Sequence, residues 1–345
     1  MQLISLLLCA SLVCKQMELY IYWDPDAKGD ALFSSGLGGM IKEAVAETGW
    51  EIRSWEKERY WPRMIPWNKV ESWQELKWRL GFDLPDEGTA DLWIFWNLGA
   101  SIKKWDFSRL DPKKMVLFLW EPPSVEPSSF APETLARFSK VFTWDDDLVD
   151  NVKFFRFHYP VLRGRIDEIP SFAAKKFCTL IASRLNSKYP QELYSARLKT
   201  ARFFEDKPDE FDLYGKNWGK KKLKNWRGTI PDKLSVLKNY KFCICYENTQ
   251  GHKGYITEKI FDCFAAGCVP VYWGAPNVTD YIPVEAFIDR RQFKDDAELY
   301  AFLKSITPEQ YERYLDAAAA YLKSEKAQLF TSENFVRSFA SILAQ

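Results

Sequence analysis

Histidine is scarce in this sequence: 2 of its 345 residues carry an imidazole, His158 and His252. A zinc site would need cysteine or carboxylate ligands beside them, and no C-x-x-C pair offers such ligands. A Ser-His-Asp triad could use only one of the two histidines. The sequence therefore argues against a histidine-based zinc enzyme and against a serine hydrolase.

Net charge and long apolar runs are also lacking. The formal net charge is +1, so no broad basic surface for a nucleic acid is expected. Residues 3–14 are apolar and uncharged, but they are fewer than the roughly 20 residues that a membrane helix needs. No basic residue precedes them, as one would in a signal peptide. Residues 1–16 are therefore interpreted as an apolar leader, which is either signal-like or the result of a mis-assigned start ahead of Met17.

Cysteine is present without a disulfide pattern. The 7 cysteines are odd in number and lie mostly inside apolar runs. Cys243 and Cys245 alternate along a predicted strand, and Cys263 and Cys268 flank the end of a predicted helix. These positions indicate buried free thiols in a reducing compartment.

Strand-like and helix-like segments alternate along the chain, which predicts a mostly parallel α/β architecture. The pattern weakens near residues 160–175 and then restarts, so two units are expected, at 17–165 and 166–310, followed by helices at 311–345. Ligands of open parallel sheets bind beyond the carboxyl ends of the strands. A binding cleft between the two units is therefore predicted. The predicted strands are ELYIYW, EIRSW, ADLWIFW, MVLFLW, KVFTW, KKFCTLIAS, FDLYG, YKFCICY and CVPVYW.

Tryptophan is concentrated in the N-terminal unit, where 12 of the 15 lie within the first 144 residues. Several of them, including Trp61 and Trp67, fall in a charged segment rather than an apolar one. Aromatic faces beside charged side chains suit sugar rings, which present C–H faces and hydroxyl edges. The alternative is a loop that packs on its own aromatic side chains.

The segment ENTQGHKGYITEK, residues 247–259, is charged although apolar runs precede and follow it. Thr257 is a plausible N-cap of the next helix, and Lys259 lies in the first turn. A lysine there is slightly unfavourable unless an anion is near, because a helix begins with about half a positive charge. Gly251 and Gly254 would let the loop approach a ligand closely. Together these features predict a phosphate site, and the alternative is a solvated pair of Glu258 with Lys259.

The block YKFCICYENTQGHKGYITEKIFDCFAAGCVPVYWG resembles the signature of the α-1,3/4-fucosyltransferases, glycosyltransferase family 10. The segments LYGKNW and WRGTIPDKLSVLKNYKF resemble that family as well. The resemblance implies a GT-B fold: two Rossmann-like domains that face a cleft, with C-terminal helices crossing back to the N-domain. It also implies that residues 17–165 bind the acceptor and residues 166–310 bind GDP-β-L-fucose. Transfer would invert the anomeric carbon, giving an α1,3 linkage to O3 of GlcNAc in an N-acetyllactosamine-type glycan.

The family's phosphate-binding and donor-binding positions match residues of this sequence. Arg197 and Lys259 match the cations that neutralise the donor diphosphate, so they would replace a divalent metal in catalysis. Glu258 matches a glutamate that holds donor hydroxyls, of either the ribose or the fucose. Asn248 and Tyr255 match positions that contact the donor. No cofactor is required in this reading, and stimulation by a divalent metal is left open.

The resemblance also implies a catalytic base in the N-terminal unit. Glu121 ends the strand MVLFLW and matches the family's glutamate, although the local sequence here reads W-E-P-P. It would remove the proton of the acceptor hydroxyl during attack. Glu126 is the nearest rival. Trp61 and Trp67 are predicted to contact the acceptor glycan.

Three other functions are weighed. A GT-B transferase could use another nucleotide sugar or another acceptor, and a non-catalytic glycan-binding protein would use the tryptophans alone. A GT-A enzyme would bind a metal through Asp145 and Asp147, but a solvated loop after the strand KVFTW is favoured for these residues.

The acceptor could be lipopolysaccharide, with a Lewis-type antigen as product, a free oligosaccharide or a glycoprotein. The sequence has neither the membrane stem of animal members nor the heptad tract of some bacterial ones. We therefore expect a bacterial enzyme in the cytoplasm or peripheral to the cytoplasmic membrane, with secretion, anchoring and oligomeric state left open.

Overall fold

A computed structural model describes residues 17–23, 50–55, 92–98, 107, 110–207, 209–219 and 223–343. The predicted leader 1–16 and the residues Trp61 and Trp67 lie outside these ranges. Elements are numbered within the described residues. Among them, no helix is long and apolar enough to cross a membrane.

The first unit is built on a six-stranded sheet in which all neighbouring strands are parallel. Its order is β2-β1-β3-β4-β5-β6. The apolar run of β4 is buried along its whole length, as expected for a central strand covered on both faces. The strands are β1 (Met17–Trp23), β2 (Trp50–Trp55), β3 (Leu92–Trp96), β4 (Met115–Leu119), β5 (Lys140–Thr143) and β6 (Phe154–Arg156).

The second unit is built on a five-stranded parallel sheet with the order β11-β10-β9-β7-β8. Its first strand, β7, lies beside its third, β9, so the chain reverses its winding direction between these two strands. Open α/β sheets bind ligands beyond the carboxyl ends of strands at such a point. The strands are β7 (Lys176–Ile181), β8 (Phe211–Tyr214), β9 (Tyr240–Tyr246), β10 (Val269–Trp273) and β11 (Ile288–Asp289).

Helices cover both sheets. The eight described α-helices are α1 (Pro132–Leu135), α2 (Tyr194–Phe203), α3 (Lys233–Leu237), α4 (Glu258–Ala265), α5 (Val278–Tyr281), α6 (Asp296–Ser305), α7 (Pro308–Leu322) and α8 (Ser332–Leu343). Short 3-10 segments span Pro112–Lys114, Pro127–Phe130, Phe172–Ala174, Phe204–Asp206, Val284–Ala286, Arg290–Gln292 and Ala327–Phe330.

Strand β9 separates two cores. Cys243 and Cys245 face the core that contains the apolar stripe of α4, whereas Phe242 and Ile244 face the other. This alternation follows from the two-residue period of a strand. Five cysteines of the described chain are buried free thiols, as the sequence predicted: Cys178, Cys243, Cys245, Cys263 and Cys268.

The C-terminal helices divide between the two units. Phe335 and Phe339 of α8 pack against Phe118 in the first sheet, with ring centroids 6.1 and 5.5 Å away. Helix α8 therefore crosses back to the N-terminal unit, as the sequence predicted. Helix α7 does not: its buried residues Tyr311 and Tyr321 pack in the cores of the second unit. The expectation that all of residues 311–345 return was wrong for α7, because its apolar side is already covered by the second unit.

Candidate functional site

The carboxyl ends of the two sheets face each other, and the loops that follow their strands are in contact. The Ser124 hydroxyl, in the loop after β4, donates to the Asn248 carbonyl in the loop after β9 at 3.3 Å. The Asp146 N–H, after β5, donates to the Lys253 carbonyl at 3.2 Å. The cleft predicted between the units therefore lies between these loops.

Lys259 lies in the first turn of α4 and points at the end of β9. Its Nζ is 3.1 Å from Glu247 Oε2 and donates to Thr257 Oγ1 at 2.9 Å. The Glu247 carboxylate is fully buried and accepts the Thr257 N–H at 2.9 Å and the Thr257 hydroxyl at 2.7 Å. Thr257 is the N-cap residue that the sequence predicted, but its side chain makes no capping bond. It bonds Glu247 instead and thereby ties the start of α4 to the end of β9.

The charges around Lys259 favour the ionised forms of Lys259 and Glu258. Burial opposes the charged form, yet Glu247 and Glu258 raise the pKa of Lys259. Burial also opposes ionisation of Glu258, but Lys259 and Lys233 hold the pKa of that carboxyl well below its usual range. Glu258 is therefore not simply a solvated partner of Lys259, because it also pairs with Lys233. The Lys233 Nζ is 3.2 Å from Glu258 Oε1.

Arg197 is the cation at this site that, among the described residues, has no carboxylate within ion-pair distance. It lies on α2, is 3% exposed, and donates from Nη2 to the Tyr246 carbonyl at 2.7 Å and to Asn248 Oδ1 at 3.0 Å. Both acceptors are neutral, and within the described ranges Arg197 makes no ion pair at 4.0 Å or less. Burial accordingly lowers the pKa of its guanidinium. A buried cation with neutral partners is costly unless an anion binds beside it.

Tyr255 lies in the loop between β9 and α4, and it is buried. Its ring is 4.6 Å from that of Trp144 and 6.1 Å from that of Tyr159. Burial raises the pKa of Tyr255 well above its usual range, and Tyr159, Glu121 and Glu247 add to the effect. The structure thus brings Tyr255 into the same electrostatic environment as the carboxylate predicted to act as base.

Glu121 lies across the cleft, two residues beyond the end of β4. Its N–H and that of Trp120 donate to Asn97 Oδ1 at 2.9 and 2.7 Å. Asn97 follows β3, is 1% exposed and has a φ of 53°, a left-handed conformation that asparagine tolerates better than most residues. Its amide therefore fixes the backbone at Glu121. The rival Glu126 is 7% exposed and lies further along the same loop.

The segment Asp145–Asp147 connects the two units. Asp145 Oδ2 is 3.2 Å from His252 Nδ1, and Asp147 Oδ1 is 2.7 Å from Lys253 Nζ. The expectation of a solvated loop was wrong for Asp145, which is 6% exposed because loop 248–254 packs over it. Within the described ranges, no group of three or more His, Cys, Asp or Glu has the geometry to hold a metal.

Asp146 is the centre of this connection. It accepts hydrogen bonds from Asn277 Nδ2 at 2.9 Å and from the Tyr281 hydroxyl at 2.7 Å, both in the second unit. It also contacts Arg156 in the first unit. Its carboxylate lies directly against Gly254, where an added Cβ would be 2.3 Å from both Asp146 Oδ1 and the Trp144 carbonyl oxygen.

Gly254→Ala should destabilise the protein more than Gly228→Ala. The two glycines have φ values of +79° and +94°, so an L-residue pays a backbone cost of about 1–2 kcal/mol at either. At Gly228 nothing lies within 4 Å of the added Cβ, whereas at Gly254 it meets the contact between the units. Denaturant midpoints with a common m-value give the comparison. Equal losses at the two positions would show that this contact does not hold loop 248–254 in place.

Three residues of this site were not predicted from the sequence. Glu247 directly follows the apolar strand β9. A carboxylate at a buried position needs a cation beside it, and this requirement could have indicated the pair with Lys259. Lys233 lies in the family-like segment WRGTIPDKLSVLKNYKF, and nothing in its spacing indicated Glu258. Asn97 had no sequence signal beyond its place after a strand. The predicted acceptor residues Trp61 and Trp67 lie outside the described residues and stay a prediction.

Residues 172–339 match the family described as Glycosyltransferase family 10 (fucosyltransferase) C-term. The α-(1,3)-fucosyltransferase FucT of Helicobacter pylori is 37% identical over 87 residues, which are 25% of this chain and 18% of that protein. The mouse 4-galactosyl-N-acetylglucosaminide 3-α-L-fucosyltransferase 9 is 32% identical over 141 residues, 40% of this chain and 35% of that protein. The matched segments thus span well under two thirds of these relatives.

Solved structures match over nearly the whole chain. A crystal structure of an α1,3-fucosyltransferase with GDP has a TM-score of 0.56 at 15% identity and covers 97% of this chain and 92% of that one. The Anabaena protein HepE in complex with UDP has a TM-score of 0.57 at 11% identity, covering 95% and 100%. At these identities the matches establish the fold, which is GT-B as the sequence predicted, and the GT-A alternative is wrong.

Proposed function

We propose that this protein is an inverting fucosyltransferase, because residues 172–339 match the C-terminal domain of glycosyltransferase family 10, the fucosyltransferases. It takes L-fucose from GDP-β-L-fucose and joins it in α1,3 linkage to O3 of GlcNAc in an N-acetyllactosamine-type glycan. The second unit binds the donor, and the first unit binds the acceptor.

The observation that carries this proposal is the pair of cations at the switch point of the second sheet. Arg197 and Lys259 approach the end of β9 from α2 and α4, and both hydrogen-bond acceptors that the described residues offer the buried Arg197 are neutral. A diphosphate would supply the missing negative charge, and the free N–H groups at the start of α4 would add to its binding. Glu258, at the first residue of α4, is placed to accept hydrogen bonds from donor hydroxyls.

The leaving-group side of the reaction belongs to these cations. As the acceptor oxygen attacks the anomeric carbon, the bond from that carbon to the β-phosphate oxygen breaks, and its electron pair leaves with GDP. Arg197 and Lys259 stabilise the charge that develops on this oxygen. Removal of one preorganised donor of this kind typically costs about 10²–10³ in rate.

The attacking side belongs to Glu121. Its carboxylate takes the proton of the acceptor hydroxyl while the new glycosidic bond forms, on the face opposite the departing GDP. A base in the first unit and cations in the second fit inversion, because the two groups approach the sugar from opposite sides of the cleft. Asn97 supports this role by holding the Glu121 backbone at 2.9 Å.

The acceptor is proposed from the relatives. The mouse relative is named for 4-galactosyl-N-acetylglucosaminide, and the same acceptor class is proposed for this chain. Aromatic residues of the N-terminal unit, with Trp61 and Trp67 among them, would stack on its sugar rings. No metal is required in this mechanism, because the two cations neutralise the diphosphate.

A different nucleotide sugar is the second candidate. The fold is as similar to that of HepE with UDP as to that of the fucosyltransferase. The fold alone therefore does not identify the nucleobase or the sugar of the donor. The family match over residues 172–339 favours GDP-fucose.

The experiment is a donor comparison with EDTA present. The purified protein is given GDP-fucose, GDP-mannose, UDP-galactose or UDP-GlcNAc together with N-acetyllactosamine, and nucleotide release is measured. GDP release from GDP-fucose alone is expected. Turnover only with a UDP-sugar would favour the second candidate, and turnover only after metal is restored would contradict the metal-independent mechanism.

A further inference from the structure

The Tyr194 side chain, at the first residue of α2, has a buried hydroxyl that is not hydrogen-bonded to any described residue. The residue is 4% exposed, and its hydroxyl oxygen has no hydrogen-bond partner within the described part of the chain. The hydroxyls of Tyr214 and Tyr240, in the same unit, bond each other at 2.9 Å. A buried phenol normally has a partner, so an unpaired one suggests a group that binds there.

Tyr194 lies among the charges of the cleft. The Arg197 guanidinium, one helical turn further on, is 5.2 Å from the centroid of the Tyr194 ring. Ser124, from the loop after β4, is a polar neighbour across the cleft, but its hydroxyl donates to the Asn248 carbonyl at 3.3 Å. Burial raises the pKa of the Tyr194 phenol and Glu121 raises it further, whereas Arg197, the neighbouring Ser124 hydroxyl and Lys259 lower it. The group is therefore a neutral hydrogen-bond donor at working pH.

These neighbours indicate what the hydroxyl would bind. A hydroxyl donor beside the Arg197 guanidinium is complementary to an anionic oxygen, and a hydrogen bond to an ionised acceptor is stronger than one to a neutral sugar hydroxyl. Arg197 lies on the same turn of α2, and its Nη2 donates to Asn248 Oδ1 in the loop after β9. The ring of Tyr194 also lies on the guanidinium, so its position and that of the cation depend on each other.

We propose that Tyr194 is a further donor-binding residue, whose hydroxyl donates a hydrogen bond to the β-phosphate of the nucleotide sugar beside Arg197. This rests on the proposed function and adds to it a third, uncharged contact to the leaving group. The contact strengthens as negative charge grows on the leaving oxygen.

The test is Tyr194→Phe, which removes one oxygen and keeps the ring on Arg197. Tyr321→Phe is the matched control. Tyr321 is 3% exposed, and its hydroxyl also has no hydrogen-bond partner among the residues that the structure describes. Its ring, however, packs beside those of Phe261 and Phe264, with centroids 6.2 and 5.9 Å away. For Tyr194→Phe we expect kcat/KM for GDP-fucose to fall at least tenfold and the Kd for GDP to rise severalfold. Neither variant should have a lower melting temperature, because each loses a buried group without a bond. Tyr321→Phe should keep wild-type kinetics.

Two results would overturn the proposal. One is wild-type kcat/KM in Tyr194→Phe. The other is a lower kcat/KM with an unchanged Kd for GDP, which would place the hydroxyl on the sugar or the acceptor. If the wild-type protein uses another nucleoside diphosphate sugar, the proposed function fails. The role of Tyr194 can still be tested by the same comparison with that sugar donor and its nucleoside diphosphate, because every such donor has a β-phosphate.

Discussion

Replacing Arg197 with methionine is expected to reduce kcat/KM for GDP-fucose by about 10²–10³-fold and to remove most of the thermal stabilisation by GDP. Arg197 is the buried cation whose partners, the Tyr246 carbonyl and Asn248 Oδ1, are both neutral. Its charge is therefore available to the diphosphate, whereas that of Lys259 is already offset by Glu247 at 3.1 Å. The measurement is steady-state kinetics together with melting temperatures at increasing GDP.

Arg202→Met is the control for this variant. Arg202 lies on the same helix and is exposed, so its loss should change neither kinetics nor the response to GDP. The stability of Arg197→Met without ligand is also informative. Loss of a buried cation without a carboxylate partner should cost far less than breaking a buried ion pair, for which about 3–5 kcal/mol is usual. Wild-type GDP affinity in Arg197→Met would contradict the diphosphate site.

Glu121→Gln is expected to lower kcat by about 10²–10⁴-fold while the Kd for GDP stays within a factor of two to three. The amide is the same size and keeps the backbone bond to Asn97, but it cannot take a proton. The donor cations lie on the other side of the cleft, in α2 and α4, so donor binding should survive. The measurement combines kcat with calorimetric titration of GDP.

Glu126→Gln separates the two glutamates of this loop. If Glu121 is the base, Glu126→Gln should retain at least a tenth of wild-type kcat. Wild-type turnover in Glu121→Gln, with a large loss in Glu126→Gln, would transfer the role of base to Glu126. A Glu121 variant that loses GDP affinity in proportion to kcat would instead indicate a structural role.

The sequence predicted this fold well because its strands are short apolar runs separated by amphipathic segments. The placement of Lys259 at the start of α4, beyond the end of β9, also followed from the sequence, since strand, glycine loop and N-cap succeed one another within residues 240–259. Helix α2 begins at Tyr194, four residues after Pro190. Residues 190–193 bond the loop after β9 instead, through Leu193 N–H to the Asn248 carbonyl at 3.1 Å.

The contacts that the sequence did not predict depend on distant segments. Glu247 is buried because Thr257 folds back onto it, which no local pattern encodes. Asp145 is buried by a loop more than 100 residues away, so charge alone wrongly indicated a solvated position. The unpaired hydroxyl of Tyr194 is a property of the assembled cleft, because it depends on what Ser124 bonds across the two units.

The most direct test of the central claim is analysis of the product formed from GDP-fucose and N-acetyllactosamine. Mass spectrometry and NMR would identify the sugar added, the position of the new bond and its anomeric configuration. We expect one fucose in α linkage on O3 of GlcNAc, formed from the β-linked donor, with one GDP released per bond. If the wild-type protein neither transfers nor hydrolyses fucose from GDP-fucose, the proposed function is wrong.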